Sequence, residues 1–112
     1  LSLFMHERFG LWHAYRFALA LPDRHAKTPG GADFESPCLN CDDKPCLDVC
    51  PVDAFNGPTY RSDLCMDYLV SESKSACRQT GCAARRACPV GRAFTYTPAQ
   101  AQFHMEAFVR SQ

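Results

Sequence analysis

The chemistry of this chain begins with Cys38, Cys41, Cys46 and Cys50, which stand at C-x2-C-x4-C-x3-C and are followed at once by Pro51. An iron-sulfur cube needs thiolates that converge on its irons from several directions. A short looping segment dense in cysteine supplies them, and a proline after the last cysteine bends the chain away. A second region carries Cys65, Cys77, Cys82 and Cys88 at gaps of x11, x4 and x5, and it also closes in Cys-Pro, at Cys88-Pro89. Eight cysteines in 112 residues are far more than an ordinary globular domain carries. A chain this short has only a marginal apolar core, so a staple of disulfides, metal or clusters is expected.

The spacing weighs these alternatives. Two structural zinc sites would also use eight cysteines, but paired zinc knuckles give no reason for two Cys-Pro closures. Four disulfides need an oxidising compartment, and the sequence has no secretory signal to supply one. A redox C-x-x-C at Cys38 and Cys41 is crowded out by Cys46 and Cys50, and Cys46-x3-Cys50 lacks the third cysteine of a radical-SAM motif.

The run from Cys38 to Pro51 resembles the cysteine runs of polyferredoxin-type electron-transfer subunits, with x4 where the bacterial ferredoxin pattern has x2. The second region is similar to the second half of the iron-sulfur domain of epoxyqueuosine reductases, where a D-x-x-C-x-x-Y-L-like stretch precedes the closing cysteines. Asp63-Leu64-Cys65-Met66-Asp67-Tyr68-Leu69 fits part of it, although the gap before Cys88 is x5 rather than x3. The likeness spans Cys38 to Pro89, and that enzyme's corrinoid-binding catalytic domain has no counterpart here. The resemblance to bacterial dicluster ferredoxins implies two 4Fe-4S clusters with crossed ligands. Cys38, Cys41, Cys46 and Cys88 would hold cluster one; Cys50, Cys65, Cys77 and Cys82 would hold cluster two. Such a protein is an electron carrier rather than an enzyme, and it passes single electrons to redox partner proteins, either as a ferredoxin or as the electron-transfer module of a larger reductase. A zinc-binding interaction module is the third reading. Because the ligands are far apart in sequence, an apo chain is expected to be largely unfolded.

The elements that must position these thiols are less sharply written. Phe9 to Leu21 has Phe9, Trp12, Arg16 and Ala20 at helical spacing and ends at Pro22, which predicts a helix. Pro22 to Pro37 has no period and reads as a linker, and Asn56, Gly57 and Pro58 as a turn. Helices are expected over Ser62 to Val70 and Ser73 to Cys88. Thr97 and Pro98 make a cap and first-turn pair for an amphipathic last helix through Phe103, Met105 and Phe108. The expected fold is therefore small α+β: a ferredoxin-like dicluster core, mostly short helices and loops, with an added helix at each end. Its parts are an N-terminal helix and linker over 1–37, the dicluster domain over 38–96 and the C-terminal helix over 97–112. The two cysteine regions read as an imperfect duplication around a pseudo-twofold axis.

Formal net charge is zero, which excludes a strong field towards nucleic acid. Acids dominate from Asp33 to Asp53 and bases from Lys74 to Arg92, so the molecule is a dipole if these segments stay apart. The basic stretch reads as a solvated face, or as a source of positive charge beside a reduced cluster. His6, His13, His25 and His104 lack ligand spacing. Trp12, Tyr15 and Phe17 read as core, and Phe55, Phe94 and Tyr96 as shields that keep water from the clusters. No apolar run is long enough to span a membrane. The start at Leu1 rather than Met suggests a piece of a longer protein, a proteolytic product or an incomplete amino terminus, and the absence of a secretory signal points to the cytoplasm.

Overall fold

The computed structural model describes residues 4–15, 17–20, 22, 35–56 and 59–111. Among the described residues five helices carry the architecture: α1 Pro45–Asp48, α2 Ser62–Ser71, α3 Ala76–Thr80, α4 Ala83–Ala87 and α5 Pro98–Arg110, with single 3-10 turns at Pro37–Asn40 and Arg92–Phe94. Each short element starts where local chemistry lets it. Ser36 caps the first 3-10 turn through the Cys38 amide, Ser75 caps α3 through the Arg78 amide, and Thr97 caps α5 through the Gln100 amide with Pro98 in its first turn. The Thr97–Pro98 start and the Ser62 start of α2 lie where the sequence predicts them.

Three of the helices form one packed group. α5 lies against α3 and also touches α2. Gly81, which ends α3 with φ +92°, allows the close approach: a Cβ there would stand 3.0 Å from the Ala101 Cβ on α5. Arg78 ties the group together. Its Nε and Nη2 donate to the two carboxylate oxygens of Glu106 at 2.8 and 3.0 Å, and its Nη1 donates to the Leu69 carbonyl at 2.8 Å. One guanidinium thus joins α3, α5 and the end of α2. Leu69 is fully buried beneath it. α1 packs instead against α4, and each of these short helices runs directly into a Cys-Pro closure.

Three expectations are corrected. The α+β class is wrong: among the described residues there is no strand or sheet, and the one backbone pairing, His6 with Gly10, is an isolated bridge. The cysteine loops leave no stretch of alternating residues long enough to pair, so helices and turns take up the backbone hydrogen bonds. Next, the helix expected over Phe9 to Leu21 does not form among the described residues of that span. Gly10 adopts φ +57° in a tight turn closed by paired hydrogen bonds with His6, and a Cβ at this site would run into the Val90 carbonyl. The apolar spacing serves another purpose: the Phe9 ring meets Phe94 edge-on at 4.8 Å and Trp12 meets Tyr96 at 5.3 Å, so the segment wraps the turn after the second Cys-Pro. Trp12 is buried, whereas Tyr15 and Phe17, read as core, are 73% and 85% exposed. Last, the helix expected over Ser73 to Cys88 is broken at Gly81–Cys82 into α3 and α4. Most of the Pro22 to Pro37 linker, His25, and Gly57 and Pro58 of the expected turn lie outside the described residues.

Candidate metal centre

Cys50, Cys65, Cys77 and Cys82 come from four different places in the chain and line one small apolar cavity, with Tyr68 and Met105 also in its wall. Cys50 follows α1, Cys65 sits in the first turn of α2, Cys77 in α3, and Cys82 is the residue that starts α4. Burial pushes the Cys65 thiol up, and the neighbouring sulfurs of Cys82, Cys50 and Cys77 push it the same way. Against that, the Tyr60 hydroxyl donates to Cys65 and stabilises its thiolate. The phenol in turn is pushed above its ordinary range, first by its own burial and then by that bond. Burial also raises Cys82, opposed by the amides of Arg85 and Ala84 that donate to its sulfur from the first turn of α4 and by the Arg85 guanidinium. The Ala54 amide donates to the Cys50 sulfur at 3.4 Å.

The remaining cysteines form a second group. Cys38 lies in the 3-10 turn and Cys41 just after it; Cys46 is in α1, and Cys88, at the end of α4, is almost completely buried. The Cys46 thiol is pushed up by burial and then by Cys88, with Cys38 and Cys41 adding to it. The x4 gap has a local explanation. Lys44 stands in the left-handed region at φ 39°, which turns the chain after Asp42 and Asp43 so that Pro45 can open α1 and bring Cys46 back to its partners.

Both groups share one electrostatic condition. Buried or half-buried thiolates packed side by side need a compensating positive centre. Iron bound to sulfur supplies that charge, and a coordinated thiol is deprotonated outright. Eight thiols in two groups of four are a donor set that two all-thiolate clusters could use. Among the described residues no three Cys, His, Asp or Glu stand close enough together to grip one ion. All eight thiols are free of disulfide bonds.

The surroundings are partly those expected. Phe55 borders the cavity of the second group and stacks on Tyr60 at 4.9 Å, so these two rings cover that group's edge. Tyr96 borders a larger cavity that reaches Cys65 and Cys82, whereas Phe94 is packed on Phe9 and Arg8. The basic stretch is not one solvated face. Arg78 is largely buried in its bond to Glu106, Arg85 lies over the Tyr96 ring, and Arg86 and Arg92 are exposed. Nor do the acidic and basic segments stay apart, because α1 from the first packs on α4 from the second. Tyr60 and the Ala54 amide are the site residues that sequence reasoning missed, whereas Arg85 belongs to the basic stretch that it read as positive charge beside a cluster. Tyr60 carried one usable signal, a tyrosine just before the helix that bears Cys65. No model of a known protein family, no curated protein and no solved structure matches this chain.

Proposed function

We propose that this chain carries electrons one at a time through two 4Fe-4S clusters, one held by Cys38, Cys41, Cys46 and Cys88 and the other by Cys50, Cys65, Cys77 and Cys82. The observation that carries the reading is the convergence of Cys50, Cys65, Cys77 and Cys82 from both cysteine regions on one cavity, while Cys46 faces Cys38, Cys41 and Cys88. When bound, each cluster takes up and gives back a single electron. The protein's residues do the rest. The Tyr60 hydroxyl and the amides of Ala54, Ala84 and Arg85 donate to sulfur, which eases the extra negative charge of reduction. The Arg85 guanidinium beside Cys82 acts in the same direction, and the stacked Phe55 and Tyr60 rings pack beside the second group.

Among the described residues no helix is long and apolar enough to cross a membrane. Eight free thiols suit a reducing compartment, which we take to be the cytoplasm, and the partners are redox proteins that dock over a cluster. A second reading, the electron-transfer module of a larger reductase similar to epoxyqueuosine reductase, draws support from the exposed apolar residues Phe4, Tyr15, Phe17 and Leu19 beside the core, which suit a covered surface. Metal and sulfide analysis of anaerobically purified protein tests the shared claim. About eight iron and eight acid-labile sulfide per chain are expected. Stoichiometric zinc without sulfide would replace it with two zinc sites.

A further inference from the structure

Beside the second cysteine group lies a cavity of about 350 Å³, a volume within the range of small-molecule sites. Cys65 and Cys82 form part of its wall, so whatever enters stands against two proposed cluster ligands. The rest of the wall is mostly flat rings, among them Trp12, Tyr60, Tyr96 and Phe108, with room left by the small residues Ala14, Gly81 and Ala101. Tyr96 is the hub of this wall. Trp12 meets its ring edge-on, His104 stacks on it at 5.2 Å and the Arg85 guanidinium lies 5.8 Å above it. Such a surface selects a planar aromatic molecule by stacking.

Charge narrows the class. Among the described residues no carboxylate borders the cavity, and its fixed positive charge is Arg85. The Arg85 Nε is buried and has no hydrogen-bond partner. Arg85 lines the wall, so an anionic oxygen bound in the cavity can make a charge-assisted contact with its guanidinium.

We propose that this cavity binds a planar fused-ring aromatic carrying an anionic group, a quinone in its redox form, and that the quinone exchanges electrons with the adjacent cluster. This rests on the cluster reading above. The stoichiometry closes: two reduced clusters each give up one electron, and the quinone takes both, with two protons from water, to become the hydroquinone while both clusters are oxidised. The reverse reaction would load the carrier.

The test uses anthraquinone-2-sulfonate with the cluster-loaded full chain under anaerobic conditions. Iron and sulfide are assayed first, so that absence of clusters sinks the cluster reading before any probe is added. Equilibrium dialysis is then expected to give one probe bound per chain. Arg85→Gln should weaken binding about tenfold or more, as expected for loss of a charge-assisted hydrogen bond, with partial recovery in Arg85→Lys. Ala14→Trp, at an exposed position on the cavity wall, should block binding while leaving iron and sulfide content unchanged. The neutral 2-(hydroxymethyl)anthraquinone should bind the wild type and Arg85→Gln alike. Dithionite-reduced protein, freed of reductant, should convert one bound probe per two electrons. Fully loaded protein that binds no probe, or binding that survives both Arg85→Gln and Ala14→Trp, overturns the site; a bound probe that stays oxidised overturns the electron exchange.

Discussion

Tyr60 carries the most specific consequence at the scale of single residues. Its hydroxyl donates to Cys65, so it favours the more negative, reduced state of whatever that thiolate holds. Tyr60→Phe should lower the potential of one cluster by roughly 20–60 mV, the equivalent of part of one hydrogen bond to a charged group. The other cluster should not move. Anaerobic redox titration reads both, and a shift of equal size in the two would contradict the placement of Tyr60 beside only one. The ion pairs make a prediction about pH. The Arg61 side chain, 2.5 Å from Asp63, holds that carboxyl down to about 2, and Arg78 lowers Glu106. A carboxylate depressed in the folded state adds stability above its unfolded pKa and loses it as pH falls through the folded value. Glu106→Gln should therefore melt lower than wild type at pH 7, with the gap closing once the pH drops below the ordinary glutamate range. Thermal melts across that range check it, and a gap that widens in acid would be the wrong sign.

The helices owe their positions to a few special backbone sites. Thr97 begins α5 by accepting from the Gln100 amide, so Thr97→Ala should cost about 1 kcal/mol in denaturant unfolding. Gly81 is less forgiving. Alanine there meets both a positive φ and the Ala101 side chain, and Gly81→Ala should cost about 1–3 kcal/mol. An unchanged midpoint would show that α3 and α5 do not approach as closely as described. The same sites explain what could be read from sequence. The starts of α2 and α5 were legible because they depend on neighbours within one turn: Ser62 follows a polar break, and Thr97 precedes Pro98. The segment after Phe9 was not legible. Its helical spacing arises because Phe9 and Trp12 reach Phe94 and Tyr96, more than eighty residues away in sequence, and because Gly10 must lie against Val90. The break at Gly81 was visible as a glycine but not as the site where α5 comes close.

Across the whole molecule, the structure organises itself around sulfur. Among the described residues the buried apolar ones are few and mostly small, and two of the eight thiols' neighbours, Ala54 and Ala84, belong to them. The grouping of cysteines could be expected from the Cys-Pro closures and the ferredoxin resemblance. The cavity beside Cys65 and Cys82 could not, because its wall is drawn from the N-terminal segment, α2, α4 and α5, and only folding assembles it. If the thiols serve clusters, stability depends on them: removing iron anaerobically should abolish cooperative unfolding and most helical circular dichroism. An apo chain that melts cooperatively with native-like dichroism would contradict that dependence. The most direct test of the central claim is an anaerobic redox titration followed by electron paramagnetic resonance. The oxidised protein should be silent, and reduction should bring in signals integrating to about two spins per chain in one-electron steps. A protein that gains no unpaired spin anywhere in the accessible range of potential would contradict it.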